Sequence, residues 1–200
     1  MSTEIAVIFY SATGHVARLA SEVAKGAEEG GASVRLRRVA ETAPREAIEG
    51  NPAWQEYVDT KANDVPEATL DDLVETDGYA LGTPTRFGNV AAQLKAFIDT
   101  AGGPWSQGQL ANKAVTSFTS AQNAHGGNES TLLSLNNVFY HWGSIIVPPG
   151  YTDELLFAAG GNPYGTSFPS GGGGEIPDEV IKAARFQGKR LAEVAAKLAG

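Results

Sequence analysis

The 200-residue chain has no cysteine. That excludes disulfide scaffolds, thiolate nucleophiles, Cys-ligated zinc and iron–sulfur clusters together. Basic residues are the minority, 15 Lys and Arg against 23 Asp and Glu, for a formal charge of −8. An acidic chain of this kind argues against DNA, RNA or an anionic membrane as the main partner. Long apolar runs are missing as well. The longest, Ile5 to Tyr10, falls far short of the roughly 20 residues that cross a bilayer, so no integral membrane segment is expected. No basic stretch precedes an apolar core at the N-terminus, so no signal peptide is expected and a soluble, cytoplasmic protein is. Neither G-x-S-x-G nor H-E-x-x-H occurs, which weakens a hydrolase reading. His125 and Glu129 stand one helical turn apart without an obvious third ligand, so no metal is expected.

Glycine, by contrast, is plentiful: 24 residues in 200, against an average near 7%. With 42% apolar and 19% charged residues, the composition is that of a globular chain large enough to bury a real core. The expected organisation is a single domain over 1–200, with an insertion at about 41–66 and a loop-rich segment at about 151–176.

The run Ile5–Tyr10 is continuous, apolar and β-branched, which predicts a strand buried on both faces. After a loop at Ser11–Val16, Val16, Leu19, Ala20, Val23, Ala24 and Ala27 recur at helical spacing, with Glu22 among the polar residues between them. Gly30-Gly31 stops that helix, and Val34 and Leu36 alternate with Arg35 and Arg37 in a strand nearer the sheet edge. The 41–66 stretch, with Pro44, Pro52 and Pro66, reads as an excursion holding one short helix. Further strands are predicted at 78–82, 113–119 and 144–147, and helices at 89–100, 129–142 and from Pro177 onward. Thr83–Gly88 and Ser120–Asn128 read as loops; the glycines at 171–174 read as a flexible linker. Five strands alternating with helices give an α/β fold: an open, doubly wound, five-stranded parallel sheet with helices on both faces.

In such sheets ligands bind beyond the carboxyl ends of the strands. Three loops lie there: Ser11–Val16, Thr83–Gly88 and Ser120–Gly127. The first runs from a buried strand into a helix, where free N–H groups and the helix dipole suit a phosphate; Gly14 lets backbone approach closely. It matches neither the P-loop nor the dinucleotide fingerprint, and the plainer reading is a helix cap made by Ser11 or Thr13. In the second loop, Thr83-Pro84-Thr85-Arg86-Phe87-Gly88-Asn89, Arg86 is either a ligand donor or a surface ion-pair partner, and Phe87 either a ligand wall or core. A lone His141 at a helix end is either structural or catalytic. Large aromatics in irregular stretches, Trp54, Tyr57, Trp105, Phe157 and Tyr164, point either to subunit contacts or to caps on the sheet edges of a monomer.

Taken together, these residues resemble the WrbA-type NAD(P)H:quinone oxidoreductases, flavodoxin-like proteins that bind FMN. The resemblance rests on Ser11-x-x-Gly14-His15, Gly82-Thr83-Pro84-Thr85-Arg86-Phe87-Gly88-Asn89, Gly102-Gly103-Pro104-Trp105 and Gly126-Gly127-Asn128-Glu129. His141-Trp142-Gly143, Pro148-Pro149-Gly150-Tyr151 and Asn162-Pro163-Tyr164-Gly165 extend it over nearly the whole chain. The resemblance implies a flavodoxin-like fold and two-electron reduction of quinones by NADH or NADPH through FMN. It implies that Ser11, Ala12, Thr13, Gly14, His15 and Val16 hold the FMN phosphate. Pro84, Thr85, Arg86, Phe87 and Gly88 would line the ring, and Ser120, Ala121, Gln122, Asn123 and Gly126 would meet its polar edge and ribityl side. His141 would approach the flavin across a subunit boundary and, with Tyr151, donate a hydrogen bond to the quinone. Trp105 would border the substrate pocket, and the assembly would be a homotetramer. Thr13 stands where the family often has a Tyr linked to the nicotinamide, and the Ser120–Gly126 loop is longer, with His125 in it. The alternatives are a flavodoxin-type electron carrier and a non-catalytic FMN-binding protein.

Overall fold

A computed structural model of the chain describes residues 3–171 and 173–199. Met1 and Ser2 of the N-terminal stretch, Gly172 of the glycine run and Gly200 lie outside them. Strand β1 (Glu4–Phe9) is buried from Ile5 onward. Its side chains alternate between two apolar clusters, Ile5, Val7 and Phe9 in one, Ala6 and Ile8 in the other. The two-residue period of a strand thus splits one apolar run between two cores, one on each face of the sheet.

Helices α1 (His15–Glu29) and α9 (Asp178–Ala199) cover the first face, and α5 (Ala92–Asp99) and α7 (Asn128–Trp142) cover the second. The parallel strands run in the order β2 (Ser33–Arg38), β1, β3 (Gly78–Arg86), β5 (Ala114–Ala121), β6 (Ile145–Ile146). Winding reverses between β1 and β3, so the loops leaving those two strands open on either side of a topological switch point. This is the doubly wound α/β sheet expected, with β2 at its edge.

Two strands are added to it. β4 (Asn89–Val90) pairs antiparallel with β3, and β7 (Ser167–Pro169) pairs parallel with β5. The first alters one expected loop: β3 runs on to Arg86, so Thr83–Arg86 is strand, and Phe87-Gly88 forms a two-residue hairpin turn. Both turn residues have positive φ, 53° and 75°, which suits a tight hairpin. The start of the expected 89–100 helix is consequently strand. The second alters the 151–176 segment, which holds β7 and a short helix α8 (Leu155–Ala158). The 41–66 stretch holds two short α-helices, α2 (Arg45–Glu49) and α3 (Pro52–Thr60), and a 3-10 turn at Ala62–Asp64, rather than one helix. Asn51 caps α3 by accepting from the N–H groups of Ala53 and Trp54. Short helices α4 (Asp71–Val74) and α6 (Gly102–Ser106) complete the chain.

α1 and α9 touch backbone to backbone. A Cβ on Gly26 would lie 1.9 Å from the Arg185 carbonyl oxygen, and one on Gly188 2.0 Å from that of Val23. Glu22, expected on the polar face of α1, is fully buried at this crossing. Its carboxylate meets Arg18 at 3.0 Å, Lys25 at 2.9 Å and Arg185 of α9 at 2.6 Å. Burial opposes the charge, but the hydrogen bonds from Lys25 and Arg185 outweigh it and hold the carboxyl below its ordinary range.

Candidate active site

The connection from β1 to α1 is short. Ser11 is buried, and its Oγ accepts the Gly14 N–H at 3.1 Å. Gly14 has φ 93°, a left-handed backbone that favours glycine. A Cβ there would lie 3.4 Å from the Tyr57 ring, an ordinary contact, so it is the positive φ that asks for glycine. The expected caps do not form. Ser11 bonds one residue ahead of the helix, Thr13 Oγ1 lies 3.2 Å from His15 Nδ1, and no side chain caps α1. The first N–H groups of α1 are left for an external acceptor, and its first turn carries no acid.

The β3–β4 hairpin makes a second wall. Thr83 is buried and its Oγ1 accepts the Ala91 N–H at 3.1 Å, tying the hairpin to the start of α5. Thr131 of α7 donates to Thr85 Oγ1 at 2.7 Å. Arg86 is exposed and donates to the Thr85 carbonyl at 3.1 Å; among the described residues no carboxylate lies within 4.0 Å of its guanidinium. The ion-pair alternative is thereby set aside. Phe87, at the hairpin tip, is fully exposed and so is not core. Gly88 and Gly127 let the hairpin sit on the start of α7: a Cβ on Gly127 would come 2.6 Å from Gly88 Cα.

The third wall begins inside β5, since Ser120 and Ala121 are strand residues and buried. The loop beyond is braced from the C-terminal segment, where the N–H groups of Ser170 and Gly171 bond the carbonyls of Ala121 and Gln122 at 2.8 and 2.9 Å.

The three walls close on one cavity of about 640 Å³, within the range of small-molecule sites. Ser11, Ala12, Thr13, His15 and Val16 line it, with Pro84, Thr85, Arg86 and Phe87 and with Ser120, Ala121, Gln122, Asn123 and Gly126. Of the expected cofactor residues on these loops, Gly14 and Gly88 are not among the lining residues. Asn51, Trp54 and Ser170 also line the cavity. None was expected. Ser170 follows a proline and precedes the glycine run, a weak turn signal; Asn51 and Trp54 lie in an insertion whose position no local pattern reports.

His141, Tyr151 and Trp105 are not in this chain's cavity. His141 is exposed near the C-terminal end of α7, 13 residues or about 20 Å along the helix from Asn128. Trp105 is also exposed, and its Nε1 donates to the His141 carbonyl at 2.8 Å, so these two residues stand together. Tyr151 is exposed and stacked on Phe157 with ring centroids 5.0 Å apart. His125 is exposed and does not line the cavity. Among the aromatics expected at subunit contacts, Tyr57 is buried and Trp54 faces the cavity, whereas Trp105, Phe157 and Tyr164 are exposed.

An uncapped, acid-free helix start fits one phosphate monoester. An arginine without an ion pair, beside small polar residues at two strand ends, fits the carbonyl-bearing edge of a flat ring. The cavity therefore fits a flavin mononucleotide.

Residues 3–153 match the family described as NADPH-dependent FMN reductase. A Deinococcus radiodurans protein named NAD(P)H dehydrogenase (quinone) is 45% identical over 197 residues, covering 98% of each chain. One of the same name from Geobacter sulfurreducens is 42% identical, covering 98% of this chain and 99% of its own. In fold, the chain is similar to a flavodoxin, WrbA-like protein from Agrobacterium tumefaciens, with a TM-score of 0.67 at 22% identity over 98% of this chain and 99% of that one. A flavodoxin from the domain Archaea gives a TM-score of 0.62 at 14% identity, covering 97% and 99%. Sequence and fold thus bear out the resemblance to the WrbA type, and the chain belongs to the NADPH-dependent FMN reductase family.

Proposed function

We propose that the protein is an FMN-dependent NAD(P)H:quinone oxidoreductase that reduces quinones to hydroquinones by two electrons. The observation that carries this reading is a single cavity lined both by the uncapped start of α1 and by the unpaired Arg86. Bound FMN supplies the two-electron carrier between nicotinamide and quinone. The protein's own residues bind and orient it. The N–H groups at His15 and Val16, with Ser11 and Thr13, hold the phosphate. Pro84, Thr85, Arg86 and Phe87 line the ring, and Ser120–Asn123 with Gly126 face its polar side. Oxidised nicotinamide leaves before the quinone enters the same pocket. The proposed compartment is the cytoplasm, where this electron donor is at hand.

The active unit we propose is an oligomer, a tetramer by family analogy, in which a neighbouring chain completes the site. Leu133 and Tyr140, seven residues apart on α7, are exposed, with Phe87 near the N-terminal end of that helix and Trp105 beside its C-terminal end. Such a stripe supports burial against a second copy. Antiparallel packing of two α7 helices brings one chain's His141 and Trp105 to the other's hairpin tip. His141 then donates an N–H to the quinone oxygen in either protonation state, with Tyr151 as a second donor, where negative charge develops.

Three measurements test this. FMN added to the purified protein should be retained more tightly than FAD and give a flavin absorption spectrum. NADH or NADPH should turn over with benzoquinone. Arg86→Ala should weaken flavin binding by about 1.5–3 kcal/mol, the worth of a charged hydrogen bond. Retention of FAD over FMN, or absence of quinone turnover with FMN bound, contradicts the reading.

A further inference from the structure

Glu41 collects hydrogen bonds from three parts of the chain. Its Oε2 accepts from Tyr10 Oη at 2.8 Å and from Trp54 Nε1 at 2.9 Å. Its Oε1 accepts from Gln93 Nε2 at 2.7 Å and from the Thr42 and Ala43 N–H groups, each at 2.9 Å. Among the described residues no cation lies within ion-pair distance of this half-buried carboxylate. Burial works against its charge, yet the hydrogen bonds from Ala43, Gln93, Tyr10 and Trp54 keep the carboxyl below its ordinary range. Tyr10, pushed well above the usual phenol range by burial and then by Glu41, remains a donor.

The three donors belong to the walls of the cavity or adjoin them. Tyr10 immediately precedes the phosphate-side loop, Gln93 lies in the first turn of α5, which follows the hairpin, and Trp54 is itself lining. Trp54 stands on a short helix of the insertion, a segment that contributes no strand to the sheet. Glu41 opens that same segment, and its carboxylate ties the Trp54 Nε1 to Tyr10 and Gln93 outside it, while the indole packs on the second apolar cluster.

We infer that Trp54 is a flavin-contacting wall of the cavity and that Glu41 is its positioning residue. This rests on the reading that the cavity holds FMN. The geometry also says which substitution isolates the pair. An amide at position 41 has one acceptor oxygen and one NH₂ group. With the oxygen turned to Thr42, Ala43 and Gln93, the NH₂ faces Tyr10 and Trp54. The Tyr10 hydroxyl turns round and accepts; the indole N–H has no acceptor to offer and is released. Glu41→Gln therefore frees Trp54 while leaving the local turn in place.

The test is a double-mutant cycle on the FMN dissociation constant, with thermal melts by circular dichroism as the folding control and tryptophan fluorescence as a second readout. Trp54→Ala should weaken FMN about tenfold and remove most of the tryptophan quenching that FMN causes in the wild type. Glu41→Gln should weaken FMN about fivefold and reduce that quenching. The double variant should bind no more weakly than Trp54→Ala alone. Trp54→Phe, which keeps an aromatic ring but loses the bond to Glu41, should weaken FMN about fivefold, as Glu41→Gln does, with no further loss when the two are combined, and serves if the alanine variant does not fold. Wild-type affinity in Trp54→Ala, or losses that multiply in the double variant, overturns the inference while FMN binding by the wild type stands. Failure of the wild type to bind FMN overturns the underlying reading as well.

Discussion

Helices α1 and α7 are each fifteen residues long, and each follows a glycine with a left-handed backbone, φ 93° at Gly14 and 95° at Gly127. Neither has a side-chain cap. Their N-termini nevertheless face different things. Gly127 lies against Gly88 of the hairpin, and Glu129 in the first turn of α7 answers the positive end of its dipole. The first turn of α1 holds no acid, and His15 and Val16 line the cavity. Of the two strand–glycine–helix turns, the one at α1 opens on the cavity without an acid in its first turn, which is why the proposed site has its phosphate end there. The outer faces differ too: α9 covers α1, whereas Leu133 and Tyr140 of α7 stand exposed.

The largest effect should come from giving α1 what α7 already has. His15→Glu puts an acid at the helix start, against both the dipole's preference for the ligand and the ligand's own charge. It should weaken FMN about 100-fold in a fluorescence titration, whereas Glu129→Gln on α7 should change it less than twofold. Next comes the covered face. Gly188→Ala sets a methyl against the Val23 carbonyl and should cost about 1–3 kcal/mol in denaturant unfolding, with little change in FMN affinity for the folded protein.

The Glu22 cluster at the same crossing should show in the pH dependence. Its folded carboxyl sits below the unfolded value of about 4.3. The stability it contributes is therefore fully present above the unfolded value and is lost as the pH falls from there through the lower, folded one. Glu22→Gln should lower stability at pH 7 by about 1–2 kcal/mol, tempered because its three partners are about half exposed and screened. It should also flatten the fall in stability as the pH drops below the unfolded value. The smallest change in stability belongs to the exposed face of α7. Leu133→Lys should leave the unfolding free energy within about 0.5 kcal/mol and yet reduce the mass measured by light scattering.

What was legible beforehand follows from the range of each signal. The apolar run of β1 and the helical spacing of Val16, Leu19 and Val23 are local, and the elements form where the spacing puts them. The hairpin was not legible, because Phe-Gly is not among the favoured Asn-Gly or Asp-Gly turns; its shape comes from β3 pairing onward to Arg86 and from Gly88 resting on Gly127. Glu22 read as polar surface because its partner Arg185 lies 163 residues away.

By itself the sequence determined the alternation of strand and helix, the clustering of small polar residues and glycine at three strand ends, and the family those residues resemble. All of that is written in the order and spacing of neighbouring residues. Only the tertiary structure decided that the three strand ends share one cavity, that Trp54 and Ser170 enter it, and that His141 and Trp105 lie outside it. Those outcomes depend on which distant segments pack together, and burial is a property of the assembled surfaces rather than of any one segment.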